Sequence, residues 1–353
     1  MKKNQLIAIL LFFTGLLFAQ DTTTETPTLA TPAASSSDNA TLDIDFTLPE
    51  AASSGTVKLT FTQTGGSADP YDPHVIIFNN TNGFETAGQH IATLVGSDLS
   101  NNPNVASVSS NENDALVENA IYDVTIEYQD ALQNAADDAT INNFTYDLTT
   151  LALTLTTPAE NSIDNETVDI DFTLPEAASS GTVKMTFTRT SGTEDDNAPH
   201  IITFNSNFET ATQHTTNLIG SNLGDNANVA SATADADLED GAIYSVKIEY
   251  QDEALNTAAS ATNSSFTYDN TAPAISSTAP AQNTTIRNTE VSYTLSEAVA
   301  SGTVTFTWTS GSMDGGPHIQ NLSGAELNTG AHNNITLTDN PTLVDGAIYS
   351  IAF

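Results

Sequence analysis

The groups in this chain able to do chemistry are carboxylates and imidazoles. There are 44 Asp and Glu residues, six His, seven Lys and Arg, and no cysteine. The histidines come in pairs, His74 with His90, His200 with His214 and His318 with His332, their members 14 or 16 residues apart. Each first member follows a proline and opens a short apolar run, such as His200-Ile201-Ile202-Thr203-Phe204. Two neutral imidazoles are a fair start for zinc or copper. A closed site needs three or four ligands, and no pair has a third His or any Cys near it. The expectation is a structural role, ring nitrogens bonding loop backbone. A metal held by the pair and a carboxylate is the alternative.

Among the carboxylates, Asp235-Ala236-Asp237-Leu238-Glu239-Asp240-Gly241 resembles the acidic start of a calcium loop. The equivalent stretches, Asn113-Asp114-Ala115-Leu116 and Pro341-Thr342-Leu343, lack that pattern, and no helix follows. It reads as a turn before a strand. Better calcium ligands lie where one stretch of sequence hands over to the next. Asp147 and Asp269 each close a Phe-Thr-Tyr-Asp run, Glu50, Glu176 and Glu297 each follow a strand-like stretch, and Asp130 and Asp252 each precede an Asn by four residues. Calcium takes six to eight oxygens, and carboxylates from two adjoining segments could supply them. Asp130, Asp147, Asp252, Asp269, Glu176 and Glu297 are therefore the candidate calcium ligands. Simple turn formation by Asp and Asn is the competing explanation.

Catalytic patterns are missing. The chain has no HExxH, no GxSxG and no glycine-rich phosphate loop. A carboxylate pair for glycoside hydrolysis is conceivable in so acidic a chain, but no such grouping stands out. The single tryptophan, Trp308, falls at a core-facing strand position, which leaves no aromatic platform for a sugar. The reading is a non-enzyme.

The elements that must position these groups repeat. Thr31-Pro32 recurs as Thr157-Pro158 and Ala279-Pro280, giving periods of 126 and 122 residues. Leu42-Asp43-Ile44-Asp45-Phe46-Thr47-Leu48-Pro49-Glu50 recurs as 168–176, and in altered form as Val291 to Glu297. Such a period decides the fold class. Within each copy apolar residues alternate with polar ones: Leu42, Ile44, Phe46, Leu48; Val57, Leu59, Phe61; Tyr122, Val124, Ile126, Tyr128. That is the signature of antiparallel strands with one wet face. In all three copies a Leu sits six residues before a Tyr across a turn: Leu116 and Tyr122, Leu238 and Tyr244, Leu343 and Tyr349. A tyrosine so placed pins the corner into a strand of a β-sandwich. The expected fold is all-β, tandem immunoglobulin-like two-sheet β-sandwiches with the third copy truncated. Its boundaries are 1–20 (leader), 21–150, 151–272 and 273–353, the last lacking its final strand. Joints are short, with strand-like Leu151 to Leu155 entering the second copy.

Lys2 and Lys3, the apolar run Leu6 to Phe18 and Ala19 read as a cleaved export signal, too short to span a membrane. Removing its two lysines leaves five basic against 44 acidic groups, a formal charge of −39 against −37 for the whole chain. Nucleic acid and anionic lipid would be repelled and cations attracted. Without cysteine, an exported domain depends on its core, which takes roughly 100 residues or more.

Leu-x-Asp-Gly-x-x-Tyr at 238–244 and 343–349, Asp252 with Asn256, Asp130 with Asn134, Tyr268-Asp269-Asn270-Thr271-Ala272-Pro273 and Ser296-Glu297-Ala298-Val299 carry a resemblance. The chain resembles the immunoglobulin-like (fibronectin type III-like) tandem repeats of large bacterial secreted and surface proteins. The first copy departs at the corner, with Glu118-Asn119 where the others have Asp-Gly, though Asn tolerates the same turn. The resemblance implies a non-catalytic extracellular extender, structural or adhesive, often stiffened by calcium, as part of a longer chain. Its partners would be neighbouring repeats, a cell-surface polymer or other cells. The other readings are a glycan- or surface-polymer-binding module and an accessory region of a secreted hydrolase.

Overall fold

The computed structural model describes residues 21–109 and 114–353; the expected export signal lies outside the described residues. The chain divides into two compact units, one ending at Asp269 and the other Asn270–Phe353. The first unit contains two separate hydrophobic cores and the second contains one.

Nearly all the regular structure is strand. The first part of unit 1 has β1 (Thr28–Thr31), β2 (Ser37–Asp38), β3 (Thr41–Leu48), β4 (Lys58–Gly66), β5 (His74–Phe78), β6 (Gly88–Val95), β7 (Val105–Ser109), β8 (Ala120–Tyr128) and β9 (Asp137–Tyr146). These form a three-stranded sheet β1-β3-β6 and a six-stranded sheet β2-β9-β8-β4-β5-β7. The second part repeats the set as β10 (Thr154–Thr157), β11 (Ile163–Asp164), β12 (Thr167–Thr173), β13 (Lys184–Gly192), β14 (His200–Phe204), β15 (Gln213–Ile219), β16 (Val229–Ala232), β17 (Ala242–Tyr250) and β18 (Ala259–Tyr268). Its sheets run β10-β12-β15 and β11-β18-β17-β13-β14-β16. Every pairing is antiparallel except β2 with β9 and β11 with β18. Unit 2 has β19 (Ile275–Ala279), β20 (Val291–Leu295), β21 (Thr303–Gly311), β22 (Pro317–Asn321), β23 (Gly330–Ile335) and β24 (Ala347–Ala352), in sheets β19-β20-β23 and β22-β21-β24.

The alternation in sequence explains the burial. Along β8 and β17 every second side chain is buried, from Ala120 to Tyr128 and from Ala242 to Tyr250. Leu42, Ile44 and Phe46 of the three-stranded sheet share one core with Leu59, Phe61, Tyr122, Val124 and Phe144 of the six-stranded one. Each large apolar side chain removed from water contributes roughly 1.5–3 kcal/mol, which is how these cysteine-free segments hold together. Pinned glycines bring sheets and loops close: a Cβ at Gly96 would lie 2.4 Å from the Tyr146 ring, and one at Gly220 would lie 2.4 Å from Tyr268.

Two local expectations change. The strand entering the second part starts at Thr154, not Leu151, because the preceding residues are bonded elsewhere, as described below. Trp308 stands on the same face of β21 as buried Val304 and Phe306 but is only half-buried, its indole Nε1 donating to Ser312 O. It lies past Phe306, the last buried residue of the strand.

Candidate functional site

Of the carboxylates chosen from sequence, Asp130, Asp147, Glu176 and Asp252 lie beside the segments that enter the two parts of unit 1. Residues after Asp147 enter the second part as an extended segment stitched down by its own polar groups. Leu151 N donates to Glu176 Oε1 at 2.6 Å, and Tyr250 OH donates to Leu151 O at 2.7 Å. Thr150 Oγ1 donates to Asp252 Oδ2, and Asn256 Nδ2 donates to the Asp147 carbonyl, both at 3.0 Å. Asp147, Glu176 and Asp252 thus border the segment that joins the two parts, near enough for the charges of the other two to act on Asp147. Asn39, in the turn after β2, adds a direct clip, its Nδ2 donating to Ala254 O at 2.9 Å.

The same stitching is found one period earlier. Glu25 N donates to Glu50 Oε1 at 2.6 Å, Tyr128 OH donates to Glu25 O at 2.7 Å, Asp130 N bonds Thr24 Oγ1, and Asn134 Nδ2 reaches Asp21 O. Asp21, Glu50 and Asp130 are the counterparts of Asp147, Glu176 and Asp252, and one carboxylate oxygen from each of Asp21, Glu50 and Asp130 lies within 4.8 Å of the others. Sequence reasoning named Asp130 among its candidates and missed Asp21. The 126-residue period, counted back from Asp147, was the signal that would have found it. Of the remaining candidates, Asp269 ends unit 1, its N–H donating to Asp164 O, and Glu297 belongs to unit 2.

Electrostatics differ within each group. Asp130 is buried, which acts to raise its pKa, but hydrogen bonds from the Asn134 backbone and side chain and from the Leu132 and Gln133 backbones outweigh this and lower it. Asp147 is raised, by burial first and then by the negative charges of Asp252, Glu176 and Glu118, against one hydrogen bond from Thr149. A bound cation would favour the ionised form and oppose the rise in the Asp147 pKa that burial and neighbouring negative charges cause. The oxygens offered are hard, which suits calcium or magnesium over zinc or copper.

The histidines form two structural devices. His90 and His214 bond loop carbonyls, Thr86 O and Thr210 O, each at 2.8 Å, and His332 bonds Asn328 O at 2.9 Å, as sequence suggested. His90 also joins the aromatic cluster of Phe46, Phe78 and Phe84, and His214 that of Phe172, Phe204 and Phe208. The first member of each pair instead meets a carboxylate. His74 Nε2 lies 2.7 Å from Asp69 Oδ2, and the same oxygen accepts Tyr122 OH at 2.7 Å. His200, Asp195 and Tyr244 repeat this at 2.7 and 2.6 Å, and Asp314 joins His318 and Tyr349 in unit 2. Each of these tyrosine oxygens also accepts a backbone N–H five residues upstream, from Val117, Glu239 or Val344. The expected tyrosine corner is therefore a three-residue network of Asp, His and Tyr. Burial acts to raise the acids Asp69 and Asp195, but the hydroxyl, imidazole and backbone donors win and hold both below the ordinary range. Tyr122 and Tyr244 are pushed up, chiefly by burial.

No protein-family model matches the chain, and no curated protein does. Among solved structures, one similar chain is a Ca2+-stabilized adhesin that helps an Antarctic bacterium reach out and bind ice. It is 16% identical over 94% of this chain and 73% of that one, with a TM-score of 0.29. The likeness is too loose to assign a fold or a function.

Proposed function

We propose that the chain is an exported, non-catalytic extender built of immunoglobulin-like two-sheet sandwiches, bounded at 21–150, 151–272 and 273–353, whose joints bind calcium. The strand orders β1-β3-β6 and β2-β9-β8-β4-β5-β7, with β2 running parallel beside β9, support the immunoglobulin-like reading, as does a tyrosine whose hydroxyl accepts from the backbone upstream. One observation carries the functional part. Asp147, Glu176 and Asp252 border the joint at the positions equivalent to Asp21, Glu50 and Asp130, and it is this earlier trio that brings one carboxylate oxygen each within 4.8 Å.

Neutralising crowded carboxylates at the joint would fix the angle between neighbouring modules, which is what an extender presenting an adhesive or catalytic partner domain to a surface needs. The export signal of 1–20 and the acidic, cysteine-free composition fit an extracellular setting. The test is proteolysis of the linker Leu148 to Leu153 with and without millimolar calcium. Calcium, but not matched magnesium or sodium, slows cleavage if the joint is an ion site. Equal cleavage in all three sinks the proposal.

A further inference from the structure

We propose that Asn82 is a site of spontaneous deamidation that acts as a one-way release of the loop between β5 and β6. Asn82-Gly83 is the only Asn-Gly pair in the chain. It lies in the short 3-10 turn Asn80–Asn82, where Asn82 is exposed to water. Gly83 takes a left-handed conformation at φ 79°, and an added Cβ there would meet nothing within 4 Å. Its backbone N–H is committed only to a long bond of 3.4 Å to Asn80 O. A glycine nitrogen is the least hindered nucleophile a backbone offers, since no side chain screens it.

The step needs only water. Gly83 N loses its proton and attacks Asn82 Cγ, the Cγ–Nδ2 bond breaks and ammonia leaves, giving a five-membered succinimide. Water then adds to either carbonyl of that ring, and the bond that breaks decides between Asp and its β-linked isomer. In both products an amide NH2 has become an oxygen, ionised at neutral pH.

The consequence follows from the partners of Asn82. Its Nδ2 donates to Pro103 O at 3.2 Å and to Asn104 Oδ1 at 2.6 Å, and Asn79 Nδ2 donates to the same Pro103 carbonyl. These bonds tie the 3-10 turn to the loop entering β7. A carboxylate cannot donate, so two attractions become two oxygen-oxygen repulsions. The second module has no such chemistry: Asn207 is followed by Phe208, and its loop is held by Asn205 Nδ2 on Ala227 O. The release is confined to the first module.

The full chain is incubated in mildly alkaline buffer, and peptides covering 79–104, 205–208 and 263–266 are followed by mass spectrometry. Asn82 should convert first, giving two chromatographically distinct products of equal mass, with Asn82→Gln unmodified over the same time. Asn82→Asp should then reproduce the altered amide-exchange protection of residues 79–83 without changing the second module. Conversion at Asn205 or Asn263 ahead of Asn82 would overturn the proposal. So would an Asn82→Asp variant whose 79–83 protection equals that of the parent.

Discussion

At the residue scale, the Asp-His-Tyr network ties the corner before β8 and β17 to the loop before β5 and β14. Asp195 accepts from Tyr244 and His200 while Tyr244 OH accepts from Glu239 N, so each group satisfies another that would otherwise be buried alone. Tyr244→Phe strips Asp195 of a donor and leaves the Glu239 N–H without its partner. It should cost about 2 kcal/mol, read as a fall in the urea midpoint of unit 1 at unchanged slope. The network also contributes to the acid limb. Asp69 and Asp195 titrate below the ordinary carboxylate range in the folded chain, so their contribution is complete above the unfolded values and disappears as pH falls through the folded ones. Asp195→Asn should flatten the loss of stability below pH 3.8 while lowering stability at neutral pH. A variant as acid-sensitive as the parent would show that other carboxylates govern that limb.

A comparison of the two modules at one more residue gives a stabilising change. Tyr268 OH donates to Glu166 Oε2 at 2.8 Å, and Ser221 Oγ donates to Glu166 Oε1. In the first module the equivalent tyrosine, Tyr146, is buried with no partner for its hydroxyl, because Ala40 stands where the second has Glu166. Ala40→Glu should give Tyr146 its acceptor and raise stability by about 1 kcal/mol, measured by thermal unfolding. An unchanged or lower midpoint would mean that the hydroxyl is already satisfied by water.

At the element scale, most strands were readable from alternation alone, because one face of each sheet is buried and a period of two records it. Leu42 to Leu48 and Tyr122 to Tyr128 are strands as expected. The start of β10 was not readable: Leu151 looks apolar and strand-like, but its backbone is taken by Glu176 and Tyr250. Nor was the Asp-His-Tyr network, since Asp195 and Tyr244 are 49 residues apart and only the sheet brings them together. Gly220, the first residue of the 3-10 segment Gly220–Asp225, is held close to the Tyr268 ring. Gly220→Ala drives a Cβ to 2.4 Å from the Tyr268 ring and should cost ~1–3 kcal/mol. Gly224→Ala, whose Cβ would meet only Ala232 at 3.5 Å, is the control and should stay within about 0.5 kcal/mol.

At the scale of the whole molecule, three cores without a disulfide and a large negative charge pose one problem, repulsion where modules meet. Sequence nominates carboxylates near the joints, and the backbone and side-chain bonds around Leu151 show how the segment between the two parts of unit 1 is held. Asp147, Glu176 and Asp252 border it through bonds to Asn256, Leu151 and Thr150, contacts that depend on the fold of two successive modules. The measurement that bears most directly on the account is a calcium titration of the full chain followed by thermal unfolding, with Asp147→Asn/Asp252→Asn in parallel. A ligand bound only by the native state raises the midpoint with its concentration, by about 2.7 kcal/mol of stability at 100 times its Kd. The account predicts that calcium raises the unit 1 transition well beyond magnesium or matched ionic strength, and that the double variant loses most of that rise. A rise no larger than the salt control, or one that the double variant keeps in full, would contradict a calcium site at the joint.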